Sequence, residues 1–204
     1  MKEAKFITLE GVDGAGKSTH IDFIRSYFKS KSLKYILTRE PGGTEVGEKI
    51  REILLKDEMS PITESLLMFA ARSEHLLEVI RPNLINGITV ISDRFTDATY
   101  AYQSGGKGVS SSIIRQLKMI VQEDLEPDLT LLFDLPVKVS IERLNKTRVL
   151  DRFEKQDYEF HQKVREAYIK IANENKERFY IIDSTKSIND IQYEITKILD
   201  IVTK

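Results

Sequence analysis

The sequence predicts a single α/β domain: a five-stranded, mostly parallel sheet flanked by helices. Three observations predict it. Short β-rich runs alternate with helix-length amphipathic stretches, most of those runs are continuously apolar, and a glycine-rich loop joins the first run to the first amphipathic stretch.

The five runs lie at 6–9, 35–38, 88–91, 129–133 and 179–182. A strand covered on both faces has no solvent side to mark with polar residues, so it reads as an unbroken apolar run. Between them, 18–31 puts Ile21, Ile24 and Phe28 on one helical face, and 63–85 and 113–123 have similar spacing. Pro61-Ile62-Thr63 predicts a helix start, Asn86-Gly87 a stop, and Pro136 the start of a further short helix. Right-handed crossovers between parallel strands complete the layered sheet. With no repeat, low-complexity stretch or dividing linker, residues 1–204 are read as one domain.

Composition excludes several classes of function. Lys and Arg number 31 against 32 acidic residues, a formal charge of −1. There is no general attraction for nucleic acid or an anionic membrane, so neither is an expected partner and any polyanion site must be local. Cysteine is absent, which removes disulfides and thiolate metal sites and suits the cytosol. The stretch ahead of the glycine loop is too short for a signal-peptide core, and no apolar run spans a bilayer. The expectation is a soluble, cytoplasmic protein.

Gly11-Val12-Asp13-Gly14-Ala15-Gly16-Lys17-Ser18, followed by Thr19, fits the phosphate-loop pattern G-x-x-x-x-G-K-[ST]. Its glycines let backbone N–H groups converge on phosphate oxygens, and the helix it opens directs its positive end at the same anion. Lys17 can bridge the outer phosphates and the Ser18 hydroxyl can ligate Mg²⁺. The loop indicates nucleotide binding without saying what becomes of the phosphate.

Three further clusters narrow the reading. Thr38-Arg39-Glu40-Pro41-Gly42-Gly43-Thr44 ends the second strand, where ligands of open α/β sheets collect. Ser92-Asp93-Arg94-Phe95 ends the third, setting an acid that can hold magnesium-bound water beside a guanidinium that can grip phosphate. Phe69-Ala70-Ala71-Arg72 places a ring and a planar donor three apart on one helix face, fit for a base and its carbonyl. Each has a plainer reading: a solvated strand-end charge for Arg39, a local ion pair for Asp93-Arg94, a core ring for Phe69. Together they describe a second anion pocket facing the first.

On these motifs the chain resembles the bacterial thymidylate kinase family from end to end, with Ala101-Tyr102-Gln103, Gly105-Gly106-Lys107-Gly108 and Pro127-Asp128-Leu129-Thr130 continuing the match. The resemblance implies the P-loop nucleoside monophosphate kinase fold with a small lid, ATP as co-substrate with Mg²⁺, thymidine monophosphate as acceptor, and a homodimer through helices such as 63–85. It implies that Asp13 meets the acceptor 3′-hydroxyl, Arg39 and Arg94 hold its phosphate, Phe69 stacks on thymine and Arg72 addresses its carbonyl. Thr99 and Gln103 approach the pyrimidine, Tyr102 crowds the sugar C2′ position, and residues 101–108 form a substrate loop. Phe95 stands where the family usually carries tyrosine or histidine, which bears on any hydrogen bond from that ring.

The stretch Arg143-Leu144-Asn145-Lys146-Thr147-Arg148-Val149-Leu150-Asp151-Arg152 carries four basic residues in ten positions, as a solvated helix end or as a lid over ATP. In one branch of the family an arginine follows the acid of the phosphate loop. Here that place is Gly14, so the lid is expected to supply the charge: Arg148 first, then Arg143 and Arg152, within a lid at about 143–155. His20, His75 and His161 have no motif around them and are expected at the surface or in packing.

The mechanism expected is direct in-line transfer, with Lys17, Asp93, Arg94 and Arg148 as the catalytic set and Ser18 and Asp93 toward Mg²⁺. An acceptor phosphate is already an ionised nucleophile, so no general base is needed. A deoxynucleoside kinase would instead need a carboxylate to activate a neutral hydroxyl, and a nucleotide switch a water-positioning residue. Lys17→Ala and Arg94→Ala are each expected to abolish turnover with the fold intact, since a transition-state arginine is worth ~10³-fold or more. Steady-state assays beside circular dichroism check this, and near wild-type turnover in either variant contradicts it.

Overall fold

The computed structural model describes residues 4–145 and 151–203. Five strands, β1 (Phe6–Glu10), β2 (Tyr35–Arg39), β3 (Thr89–Asp93), β4 (Leu129–Asp134) and β5 (Phe179–Asp183), form one sheet in the order β2-β3-β1-β4-β5. Every pairing is parallel, so the sheet is wholly rather than mostly so. All five expected strands are present, and each runs further at its carboxyl end, to Glu10, Arg39, Asp134 and Asp183 by one residue and to Asp93 by two. Those residues are charged, so an apolar run ends before them while backbone pairing does not.

Register carries the site. Leu9 and Arg39 both pair with Asp93, on either side of it, so the ends of β1, β2 and β3 come level. Buried Ile7, Leu9, Leu131 and Phe133 build the core with Ile24 and Phe28 of α1 (Lys17–Ser30) and with Val164 and Tyr168 of α8 (Tyr158–Glu174).

The helix expected over 63–85 is present but not uniform. Ser60 caps it, accepting from the Thr63 amide at 3.2 Å, and α3 (Pro61–His75) passes through a wider π turn (Leu76–Ile80) into α4 (Arg81–Ile85). Pro82 has no N–H for the carbonyl four residues back, and the widened turn lies just ahead of it. Asn86 ends the helix as expected. The helix read over 113–123 is α6 (Ser111–Val121), and α7 (Val137–Leu144) starts after Pro136.

Three helices were not anticipated: α2 (Glu45–Lys56), α8 and α9 (Ile188–Val202). The expected substrate loop is also helical, since α5 (Thr96–Thr99) winds on as a π segment, Tyr100–Gly106. Its two glycines serve packing. A Cβ on Gly105 would stand 2.5 Å from the Ala167 Cβ, and one on Gly106 2.5 Å from Phe160 Cε2, so only glycine lets α8 come this close.

At the end of β1 the buried Glu10 carboxyl accepts from the Phe95 amide at 2.7 Å and from the Tyr168 hydroxyl at 2.7 Å. Burial, aided by the nearby Asp97 and opposed by Arg94, pushes Glu10 up to about 8. Between its unfolded value of 4.5 and about 8 the folded chain holds a proton that the unfolded chain has lost, so this group's contribution to stability falls as pH rises through that window. Glu10→Gln is expected to flatten the loss of stability across it, measured as urea midpoints against pH. An unchanged slope contradicts the assignment.

Candidate active site

The phosphate loop follows β1 into α1, with Gly16 in left-handed conformation (φ 91°) at the helix start. α7 braces it: the Ser140 hydroxyl donates to the Asp13 carbonyl at 2.5 Å, and a Cβ on Gly14 would lie 2.9 Å from the Ser140 carbonyl oxygen. An arginine at position 14 would collide with α7. Lys17 is buried and its ammonium donates to the Gly11 carbonyl at 3.2 Å. Burial and the neighbouring Arg94 lower its pKa, against the pull of Asp93, Asp13 and Glu10.

Arg94 joins this loop to β3. Its backbone is left-handed (φ 72°), a conformation that costs a residue bearing a side chain about 1–3 kcal/mol. The guanidinium donates to the Gly11 carbonyl (3.0 Å), Asp13 Oδ1 (2.6 Å) and the hydroxyls of Tyr168 and Tyr102 (3.0 Å each). Tyr102 in turn donates to Asp13 Oδ2 at 2.7 Å. Burial alone would raise the Asp13 carboxyl, but Arg94, Lys17 and these hydrogen bonds hold it down at about 2.

Lys17, Arg39, Asp93 and Arg94 line one cleft of about 860 Å³, as expected, together with Asp13 and the loop from Gly14 to Thr19. Arg39 is half exposed and pairs with Glu48 at 2.8 Å. Among the described residues Asp93 Oδ1 is buried without a hydrogen-bond partner, and Ser18 is exposed to the same cleft. A carboxylate oxygen unpartnered among the described residues and an exposed hydroxyl lining the same cleft suit Mg²⁺ held mostly by phosphate oxygens and water. Among the described residues no group of three or more His, Asp or Glu side chains forms a self-sufficient metal cage.

Another part of the cleft is lined from α3 and the π segment. Arg72 is fixed by Glu40 (Nε to Oε2, 2.7 Å) and by Thr99 (3.0 Å), and its buried Nη1 has no hydrogen-bond partner among the described residues. Thr99, Tyr102 and Gln103 line the cleft beside it. Phe69 does not. Its ring packs with Val109 and Ile114 and seats the Arg72 guanidinium, 4.7 Å from its centroid. The residue of α3 that reaches the cleft is Met68, a full turn from Arg72 rather than three residues away.

The expected lid arginines separate. Arg143 donates to the Ser184 carbonyl at 3.1 Å and roofs the phosphate loop, its Nη1 3.9 Å from where a Cβ on Gly16 would be. Arg152, expected at ATP, is bonded to the Leu54 carbonyl (3.1 and 2.8 Å) and to Glu64 of α3 (2.5 Å). The aromatic Phe153 beside it reaches Tyr102 and turns this end of the stretch toward α3. Arg148 lies outside the described residues.

Some site residues carried no signal of their own. Arg51 of α2 lines the cleft and donates to the Pro41 carbonyl at 2.8 Å. Burial and the nearby Arg39 lower its pKa. Only the fold of 45–56 as a helix brings it there. His75 could have been noticed, one turn beyond Arg72 on the same face. It is fully buried, bonded to Glu40 (2.9 Å) and Thr38 (2.6 Å), and so organises the β2 end instead of merely filling space. His20 stacks on Phe133 in the cleft wall, and His161 packs edge-on to Phe160.

The family model described as thymidylate kinase matches residues 9–195. The thymidylate kinase of Cupriavidus necator is 52% identical over 197 residues, covering 96% of this chain and 97% of that protein. That of Methylobacillus flagellatus is 49% identical over 195 residues, covering 96% of each. The crystal structure of thymidylate kinase from Ehrlichia chaffeensis superposes with a TM-score of 0.78 at 34% identity, covering 96% of this chain and 98% of that one. A family match over nearly the whole length, joined to a phosphate loop that shares its cleft with Arg39, Arg72 and Arg94, means that this chain belongs to the thymidylate kinase family.

Proposed function

We propose that this chain transfers the γ-phosphoryl group of ATP to thymidine monophosphate, giving thymidine diphosphate for dTTP synthesis in the cytoplasm. The observation that carries the proposal is one cleft lined both by the phosphate loop with Lys17 and by Arg39, Arg51 and Arg94. A cleft with one phosphate site would suit hydrolysis or switching, whereas two cationic walls suit two phosphorylated ligands meeting.

An oxygen of the acceptor phosphate forms the new bond to the γ-phosphorus as the bond to the bridging oxygen of ADP breaks. No proton need move, because the acceptor phosphate is already ionised. The chain's part is to position the two anions and offset their charge. Lys17 and the loop amides hold the ATP phosphates. Arg94 faces the junction and Arg39 and Arg51 hold the acceptor phosphate. Asp13, oriented by Arg94 and Tyr102, is left to meet the sugar hydroxyl, and the Tyr102 ring restricts space at C2′. Ser18 and Asp93 would hold Mg²⁺, which supplies charge neutralisation on the phosphates. Arg143 extends the cationic wall over ATP, and 143–155 is proposed as the lid on the strength of its two described ends alone.

ADP release, measured with each nucleoside monophosphate in turn, is expected to depend on thymidine monophosphate. Release that ignores the acceptor would mark a hydrolase or switch and overturn the proposal. A homodimer through 63–85 is also proposed, because Leu66 and Leu77 of that stretch are exposed, Leu77 by 68%. Sedimentation equilibrium is expected to give a dimer for the native chain and a monomer for Leu77→Glu. A native monomer would contradict this.

A further inference from the structure

Glu64 stands on α3, one turn before Met68, with no exposed surface. Its carboxylate has three partners from outside its own helix. Gln103 Nε2 donates to Oε1 at 2.8 Å, while Lys107 Nζ at 2.7 Å and Arg152 Nη2 at 2.5 Å both reach Oε2. Nothing in the transfer chemistry needs a carboxylate here, and buried ion pairs give little net stability over apolar packing. What this one does fix is a side-chain amide.

A carboxylate held between two cations accepts hydrogen bonds and donates none. Gln103 can therefore meet Glu64 only through Nε2, which commits its oxygen to the other side. Among the described residues Gln103 Oε1 has no hydrogen-bond partner, and Gln103 lines the cleft with Thr99 and Arg72. The buried Arg72 Nη1 is likewise unpartnered. The base end of the cleft thus offers one unused acceptor and one unused donor. A thymine or uracil edge answers both, with N3–H for the acceptor and O4 for the donor. Cytosine has an acceptor at N3 and an amino group at C4, and so opposes both.

We infer that Glu64 is a positioning residue for base selection: by fixing the Gln103 amide oxygen toward the cleft, it sets the site for a base with an imide N–H and against an aminopyrimidine. This rests on a pyrimidine monophosphate being the acceptor. The test compares kcat/KM for thymidine and deoxycytidine monophosphates, at saturating ATP, in the native chain, Glu64→Gln and Lys107→Met. An amide at 64 can donate as well as accept, so it frees Gln103 to turn. The thymine-over-cytosine ratio is expected to fall about tenfold or more in Glu64→Gln, chiefly through the KM for thymidine monophosphate. Lys107→Met, which keeps the carboxylate, should hold the native ratio. A native ratio in Glu64→Gln, or an equal fall in Lys107→Met, overturns the inference. A native chain inactive on thymidine monophosphate would instead overturn the acceptor assignment, so the two failures are distinct. Should Glu64→Gln not fold, nitrogen-15 NMR of the native chain decides: the Gln103 side-chain amide is expected to be protected from hydrogen exchange both before and after thymidine monophosphate is added. Rapid exchange in either state overturns the inference.

Discussion

The ion pair between Arg94 and Asp13 is the contact on which the rest of the site depends. It ties the phosphate loop at the end of β1 to the end of β3, and the two tyrosine hydroxyls around it come from the π segment and from α8. A left-handed arginine is a costly backbone, and it persists because five oxygens, counting the Gly11 carbonyl, Asp13, both tyrosines and the Ser92 hydroxyl that donates to the Arg94 carbonyl, hold it.

Charge is concentrated on one side of this arrangement. Lys17, Arg39, Arg51 and Arg94 share a cleft with far fewer free carboxylates, because Asp13 and Glu48 are already engaged by arginine. Desolvation and their mutual repulsion depress Lys17 and Arg51, a standing cost that bound phosphate groups would offset. The cleft is thus built for its ligands more than for its own stability.

The base end follows a different principle. There Arg72 is committed to Glu40 and Thr99 and Gln103 to Glu64, while Glu40 is held between Arg72 and His75. Carboxylates behind the cleft wall act as fixed acceptors that decide which atom of each donor faces the ligand. Phe69 belongs to this hidden layer, as the seat of Arg72 rather than a surface for the base.

The sequence by itself determined the five strands, their parallel arrangement, the phosphate loop and the strand-end residues Arg39, Asp93 and Arg94, because apolar runs, glycine spacing and charge at the end of a run are all local signals. It placed Arg72 in the cleft with Phe69 as its companion, whereas the neighbour that lines the cleft is Met68, since spacings of three and four both lie on one helix face and only packing against Val109 and Ile114 separates Phe69 from Met68. It read Gly105 and Gly106 as loop, because a glycine demanded by a close helix contact looks the same in one dimension as a glycine demanded by a turn. Only the tertiary structure decided that Arg51 enters the cleft, that Arg152 turns to Glu64 instead of ATP, and that Glu64, His75 and Tyr168 orient the residues that face the ligand. Those roles depend on groups that are 10 to 158 positions apart in the chain meeting across elements, as Arg51 meets Pro41 and Tyr168 meets Glu10, and no local pattern encodes such a meeting.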